Sequence, residues 1–107
     1  MATRSPGLAG PRFIFTAPLW EYEGAGAWIF VSVPVDESEV IRELTAGQRN
    51  AFGSVRILAR IDDSRWPTSL FYSSASGQLL LPVKKSIRVA EGLEIGSTAR
   101  VEIALVL

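Results

Sequence analysis

Ser54-Val55-Arg56-Ile57-Leu58-Ala59-Arg60-Ile61-Asp62, residues 54 to 62, sets Val55, Ile57, Ala59 and Ile61 against Ser54, Arg56, Leu58, Arg60 and Asp62. A period of two sends these sets to opposite sides of an extended backbone, so the segment reads as a strand with one face on a core. The same alternation returns at the C-terminal end, where Ala99, Val101, Ile103, Leu105 and Leu107 share a face of residues 98 to 107. Upstream, Phe13, Phe15, Ala17 and Leu19 alternate through residues 12 to 22, with Pro18 pointing to an edge or bulged strand. Glu23-Gly24-Ala25-Gly26 turns that strand into residues 27 to 33, AWIFVSV, rich in β-branched and aromatic side chains.

Between the strands lie turn and helix signals. Asp62-Asp63-Ser64 leads into residues 66 to 73, and Ala75-Ser76-Gly77 into residues 78 to 83. After Pro34, Asp36 can cap a short helix and Glu39 can complete a capping box, with Val40, Ile41 and Leu44 as its apolar stripe and Gly47 as its stop. A second helix of one or two turns is predicted from Lys84 to Ala90. The sum is a mainly β chain of six to seven strands and two short helices. Residues 1 to 11, MATRSPGLAGP, read as a mobile N-terminal tail, and residues 12 to 107 as a single β-barrel domain.

An internal repeat supports closure. Val33-Pro34-Val35, Ile41-Arg42 and Gly53-Ser54-Val55 in the first half are echoed by Leu81-Pro82-Val83, Ile87-Arg88 and Gly96-Ser97 in the second. Each unit alone has an unburied apolar face, and two facing units cover it. A small closed or double-split barrel with pseudo-twofold symmetry meets both the patterning and the edge-strand problem; an open sandwich is the alternative.

Composition narrows the function. The 107 residues contain no Cys and no His, and 11 Lys+Arg balance 11 Asp+Glu. Disulfides, thiolate and imidazole chemistry, Cys-ligated zinc and Ser-His dyads are therefore absent, and the domain is expected not to be an enzyme. The catalytic routes left open are Lys as base or Schiff-base former, through Lys84 or Lys85, carboxylate pairs, and Tyr. No apolar run reaches the length of a membrane span and no secretory signal is evident, so a cytoplasmic location is expected. Zero net charge gives no long-range steering toward a polyanion. Locally, though, residues 21 to 43 carry Glu21, Glu23, Asp36, Glu37, Glu39 and Glu43 against Arg42 alone, whereas bases predominate from Arg49 onward.

Lys84, Lys85 and Arg88 are the densest positive charge, and at helical spacing Lys84 and Arg88 share a face. Near a helix start they can hold a phosphate or carboxylate, the competing reading being a solvated face. Arg49 can add charge, while Arg56 and Arg60 read as an ordinary outward strand face. Trp20, Trp28 and Trp66 read as barrel core or rim, with Trp66 a candidate pocket lip beside Thr68 and Ser69. Phe52 and Trp66 are the only aromatics near these bases, a weak signal for nucleic acid. Asp62 and Asp63 are adjacent turn formers without a third ligand, so no metal or cofactor is expected.

The ordered set Phe15-Thr16-Ala17-Pro18-Leu19-Trp20, Trp28-Ile29-Phe30-Val31-Ser32-Val33-Pro34, Phe52-Gly53-Ser54-Val55-Arg56, Trp66-Pro67-Thr68-Ser69-Leu70-Phe71 and Leu81-Pro82-Val83-Lys84-Lys85-Ser86-Ile87-Arg88 resembles a bacterial family, domain of unknown function 1905, over residues 13 to 107. The resemblance implies a small closed or split β-barrel and no activity. Leu81-Pro82, Lys85, Ile87-Arg88, Gly92-Leu93, Gly96 and Val101-Glu102 are also similar to one half of the AbrB-like swapped-hairpin barrels of DNA-binding regulators and antitoxins. Here one chain would supply both halves, but Asp36, Glu37 and Glu39 stand in the first copy where the second has Lys84 and Lys85. The expected function is thus recognition of a small anionic ligand or a protein partner by a monomer, through Arg49, Trp66, Lys84, Lys85 and Arg88. A DNA-binding regulator is the alternative.

Overall fold

A computed structural model describes residues 11–24, 26–47 and 53–106 of the chain. Six strands and two helices follow one another as β1 (Arg12–Gly24), β2 (Gly26–Ser32), α1 (Val35–Leu44), β3 (Val55–Ile61), β4 (Ser64–Ser73), β5 (Gln78–Pro82), α2 (Lys85–Glu91) and β6 (Thr98–Leu105). The strands close into an antiparallel barrel in the order β1-β2-β5-β4-β3-β6. Closure removes the exposed edges that an open sheet of this size would present. No helix is long and apolar enough to cross a membrane among the described residues.

The alternating residues fill the barrel. Val55, Ile57, Ala59 and Ile61 from β3, Ala99, Val101, Ile103 and Leu105 from β6, and Leu79, Leu81 and Val83 from β5 and its end join one buried cluster with Phe15, Leu19, Val31, Trp66 and Leu70. Each fully buried aliphatic side chain of this kind stabilises the fold by about 1.5–3 kcal/mol.

Two long strands each serve two ladders. β1 pairs with β6 as far as Pro18 and with β2 from Leu19 onward. β4 pairs with β3 as far as Leu70 and with β5 from Phe71 onward. Pro18 stands where one ladder gives way to the next, so its missing N–H interrupts neither. Leu19 and Leu70 mark these exchange points, and both are fully buried.

This arrangement is twofold. Placing β1 on β4, β2 on β5 and β3 on β6 reproduces the strand order. The β2–β5 ladder repeats the symmetry bond by bond about the Val31–Leu81 pair, since Val33 N–H donates to Leu79 O at 2.8 Å and Val83 N–H to Ile29 O at 2.9 Å. The caps Pro34 and Lys84, which precede α1 and α2, are therefore equivalent. Matching Pro34 with Pro82, as the sequence repeat suggests, is out of register: Pro82 is the last residue of β5, and Pro34 already lies beyond β2.

Helix α1 corrects two further expectations. Its cap is Pro34, without a side-chain capping bond, and Asp36 lies inside the first turn, where its charge complements the helix dipole. Ile41 is buried, but Val40 and Leu44 are exposed. The helix meets β5 along a narrow line, with room for Ser38 and Ile41 rather than a broad apolar stripe. Of the N-terminal tail only Pro11 is described, and its carbonyl accepts the Leu105 N–H at 3.0 Å.

Candidate functional site

Helix α2 is held at one end of the barrel by local bonds. Val83 N–H anchors the end of β5 on Ile29 O, and Arg88 Nε donates back to Val83 O at 3.1 Å. Ile87 is buried against the core. Gly92 ends the helix with φ 64°, a left-handed conformation that favours glycine, while Leu93 N–H closes on Arg88 O at 2.8 Å. Ser64 Oγ donates to Glu91 Oε2 at 2.6 Å, tying the helix C-terminus to the start of β4.

These constraints create an open cleft of about 480 Å³ between β2, β4, β5 and α2. Its walls are Trp28 and Ile29, Trp66 and Pro67 with Thr68, and Pro82 with Val83; Lys84, Lys85 and Arg88 complete it. Four of the five candidate residues thus border one cavity. Arg49, the fifth, lies outside the described residues, as does Phe52. Arg56 and Arg60 are exposed on β3 and do not line this cleft. Trp66 is wall rather than lip: only 3% of it is accessible, because it points inward from β4. The lip is Trp28, 49% accessible and on the outer side of β2.

Charge and apolar surface meet here. The first turn of α2 contains no acidic residue, and the one ion pair among the described residues is Arg12–Glu102 at 3.2 Å. Lys84 and Lys85 are exposed and Arg88 is half-buried, all three without a carboxylate partner. Among the described residues no three His, Cys, Asp or Glu side chains converge to hold a metal ion. The cleft's cationic and apolar lining suits an anion with an apolar body.

Trp28 also belongs to an aromatic group outside the barrel. Its ring stacks on Phe30 at 5.9 Å with planes 6° apart, while Trp20 and Tyr22 meet Phe30 at 5.4 and 6.3 Å. Trp20 Nε1 donates to Ser32 Oγ at 2.9 Å. Together with Phe71 and Leu80, Tyr22, Trp28 and Phe30 line a shallow apolar depression of about 280 Å³. The sequence carried a signal for this group: inward Ile29, Val31 and Val33 imply that Trp28 and Phe30 face outward. That Trp28 meets Lys84 and Lys85 depends on the β2–β5 ladder, which no local pattern announces.

No curated protein matches the chain. The family described as Domain of unknown function (DUF1905) matches residues 15–103, a span that takes in β2 to β5, both helices, most of β1 and β6 and every described residue of the cleft. Over that length the match establishes the relationship, and the chain belongs to the DUF1905 family.

Proposed function

We propose that the domain is a non-enzymatic binding module that takes a small anionic ligand in the cleft under α2. The observation that carries this reading is the convergence of three cations without carboxylate partners on an open cavity with apolar walls. Its volume falls in the range typical of small-molecule sites, roughly 300–1,000 Å³. Charge-assisted hydrogen bonds from Lys84, Lys85 and Arg88 would hold the anion, and Trp28 would cover the rest of the ligand. Recognition without chemistry is supported by a chain that contains no His or Cys and a cleft whose described side chains include one hydroxyl, Thr68, and no carboxylate. The same reading takes the protein as a monomer, since one chain supplies both halves of the closed barrel, and keeps the cytoplasmic location expected from the sequence.

A protein partner is the second reading, favoured by the exposure of Tyr22, Trp28 and Phe71, which are 47%, 49% and 41% accessible, beside the cleft. Against DNA stands the acidic first turn of α1 at the equivalent end of the barrel.

A thermal-shift titration decides between them. Inorganic phosphate, nucleotides, sugar phosphates, organic acids and a short DNA duplex are tested with the wild type and the Lys84→Ala/Lys85→Ala variant. A saturating ligand at a hundred times its Kd stabilises the folded state by about 2.7 kcal/mol, so a true ligand raises Tm dose-dependently. The variant is expected to need at least tenfold more ligand for the same rise. A wild type that responds to none of the anions overturns the small-ligand reading and leaves the partner surface.

A further inference from the structure

The twofold relates the two ends of the barrel residue by residue, and one pair of equivalents differs in kind. Ser38 Oγ donates to Val33 O at 3.1 Å, and Arg88 Nε donates to Val83 O at 3.1 Å, each bond spanning five residues from helix back to strand end. Ser38 and Arg88 therefore hold the same place in the fold. A hydroxyl accepts as well as donates, and Ser38 Oγ also takes the Leu79 N–H at 2.9 Å. A guanidinium has five donors and no acceptor. Arg88 can offer nothing to Ile29, the equivalent of Leu79.

Ile29 has given its carbonyl to Val83 N–H, and in an antiparallel ladder a residue's N–H and C=O point to the same neighbour. Its N–H is thereby directed toward Val83 and α2, and Ile29 lines the cleft. The end that carries Ser38 is closed by the protein's own oxygen. The end that carries Arg88 lacks that oxygen and surrounds the place for it with positive charge.

We propose that the missing acceptor is supplied by the ligand, and that the ligand is a small aromatic monocarboxylate. One carboxylate oxygen occupies the place that Ser38 Oγ has in the other half and accepts the Ile29 N–H; Arg88 and the lysines neutralise the group, and its ring lies along Trp28 and the prolines. A carboxylate fits better than a phosphoryl group, because Trp66, Pro67, Pro82 and Val83 leave apolar surface around the position and a second or third negative charge would be desolvated there. This inference rests on the anion-binding reading above and adds the ligand class and a backbone donor to it.

Amide hydrogen exchange followed by NMR tests it on the intact chain, with indole-3-acetate as probe and 3-methylindole as its uncharged control. Saturating indole-3-acetate is expected to slow exchange of the Ile29 amide at least tenfold and to leave the Leu79 amide, already bonded to Ser38, unchanged; 3-methylindole does neither. The Arg88→Ser variant supplies the oxygen internally, so its Ile29 amide is slow without any ligand and its affinity for indole-3-acetate falls at least tenfold. Saturable binding that shifts the Lys84 and Lys85 signals while Ile29 exchange stays constant overturns this inference and leaves the anion cleft standing. Failure of indole-3-acetate and of every anion in the thermal panel overturns both.

Discussion

The two helix-bearing ends of the barrel have the same topology and opposite characters. At the α1 end, Ser38 is fully buried between Val33 O and Leu79 N–H, and Gln78 Nε2 adds a second bond to Val33 O at 3.1 Å. The guanidinium of Arg42 lies 3.7 Å from the centre of the Tyr72 ring. At the α2 end, Arg88 makes the matching bond, the cleft stays open, and Lys84 and Lys85 have no carboxylate partner. The fold demands only that a strand-end carbonyl be satisfied at each end. Meeting that demand with a hydroxyl that also takes the Leu79 N–H seals the site; meeting it with a guanidinium puts positive charge beside an open cleft. Asymmetry of charge and openness thus needs no asymmetry of backbone.

The barrel itself should behave symmetrically, and that is the largest effect to measure. Leu19 and Leu70 occupy equivalent exchange points and are 1% and 0% accessible. Leu19→Ala and Leu70→Ala are each expected to cost about 2–5 kcal/mol in urea unfolding, and to agree with each other within about 1 kcal/mol. A clear inequality would mean that the surroundings of the two exchange points differ in how far they close on the space left. The ends should then separate where the core does not. Ser38→Ala leaves the Leu79 N–H buried and unpaired, a loss of about 2 kcal/mol, whereas Arg88→Ala removes one half-buried bond worth about 1 kcal/mol. Equal costs at the two positions would mean that the Ser38 end is no better sealed than the Arg88 end.

The symmetric and asymmetric parts also differed in how readily they could be read from sequence. β3 and β6 were legible because every second residue faces the core, a local cause with a local signature in Val55, Ile57, Ala59 and Ile61. The cationic group at Lys84, Lys85 and Arg88 was legible for a similar reason, since helical spacing brings nearby residues together. Its partners were not: Trp66 and Trp28 reach the same cleft only through the β4–β5 and β2–β5 ladders. The exchange of β1 between two ladders at Pro18 left only the proline as a trace. Ser38 left none, because a serine inside a helix ordinarily faces solvent, and its burial here is set by the nearby Val33 carbonyl together with an N–H from β5, 41 residues away. Asp36 suits capping by type, but the helix start is fixed where the chain leaves β2 at Ser32 and passes through Val33 to the cap at Pro34.

The smallest effect sharpens the comparison most directly, because it asks what the cations at each end are for. Arg42 Nε is buried without a hydrogen-bond partner, and the half-buried guanidinium lies over the Tyr72 ring. Replacing the ring by an aliphatic side chain, Tyr72→Leu, is expected to cost about 0.5–1 kcal/mol of stability, since the arginine loses a cation–π contact at a half-exposed site. Lys84→Ala/Lys85→Ala should leave stability unchanged within about 0.5 kcal/mol, because these exposed side chains hold nothing in place. Paired urea titrations of the two variants measure the difference. If removing the lysines costs as much as removing the Tyr72 ring, their charge is part of the fold and the α2 end loses its claim to be the binding end. If only Tyr72→Leu is costly, the cation of one end serves stability, and the cations of the other are free for a ligand.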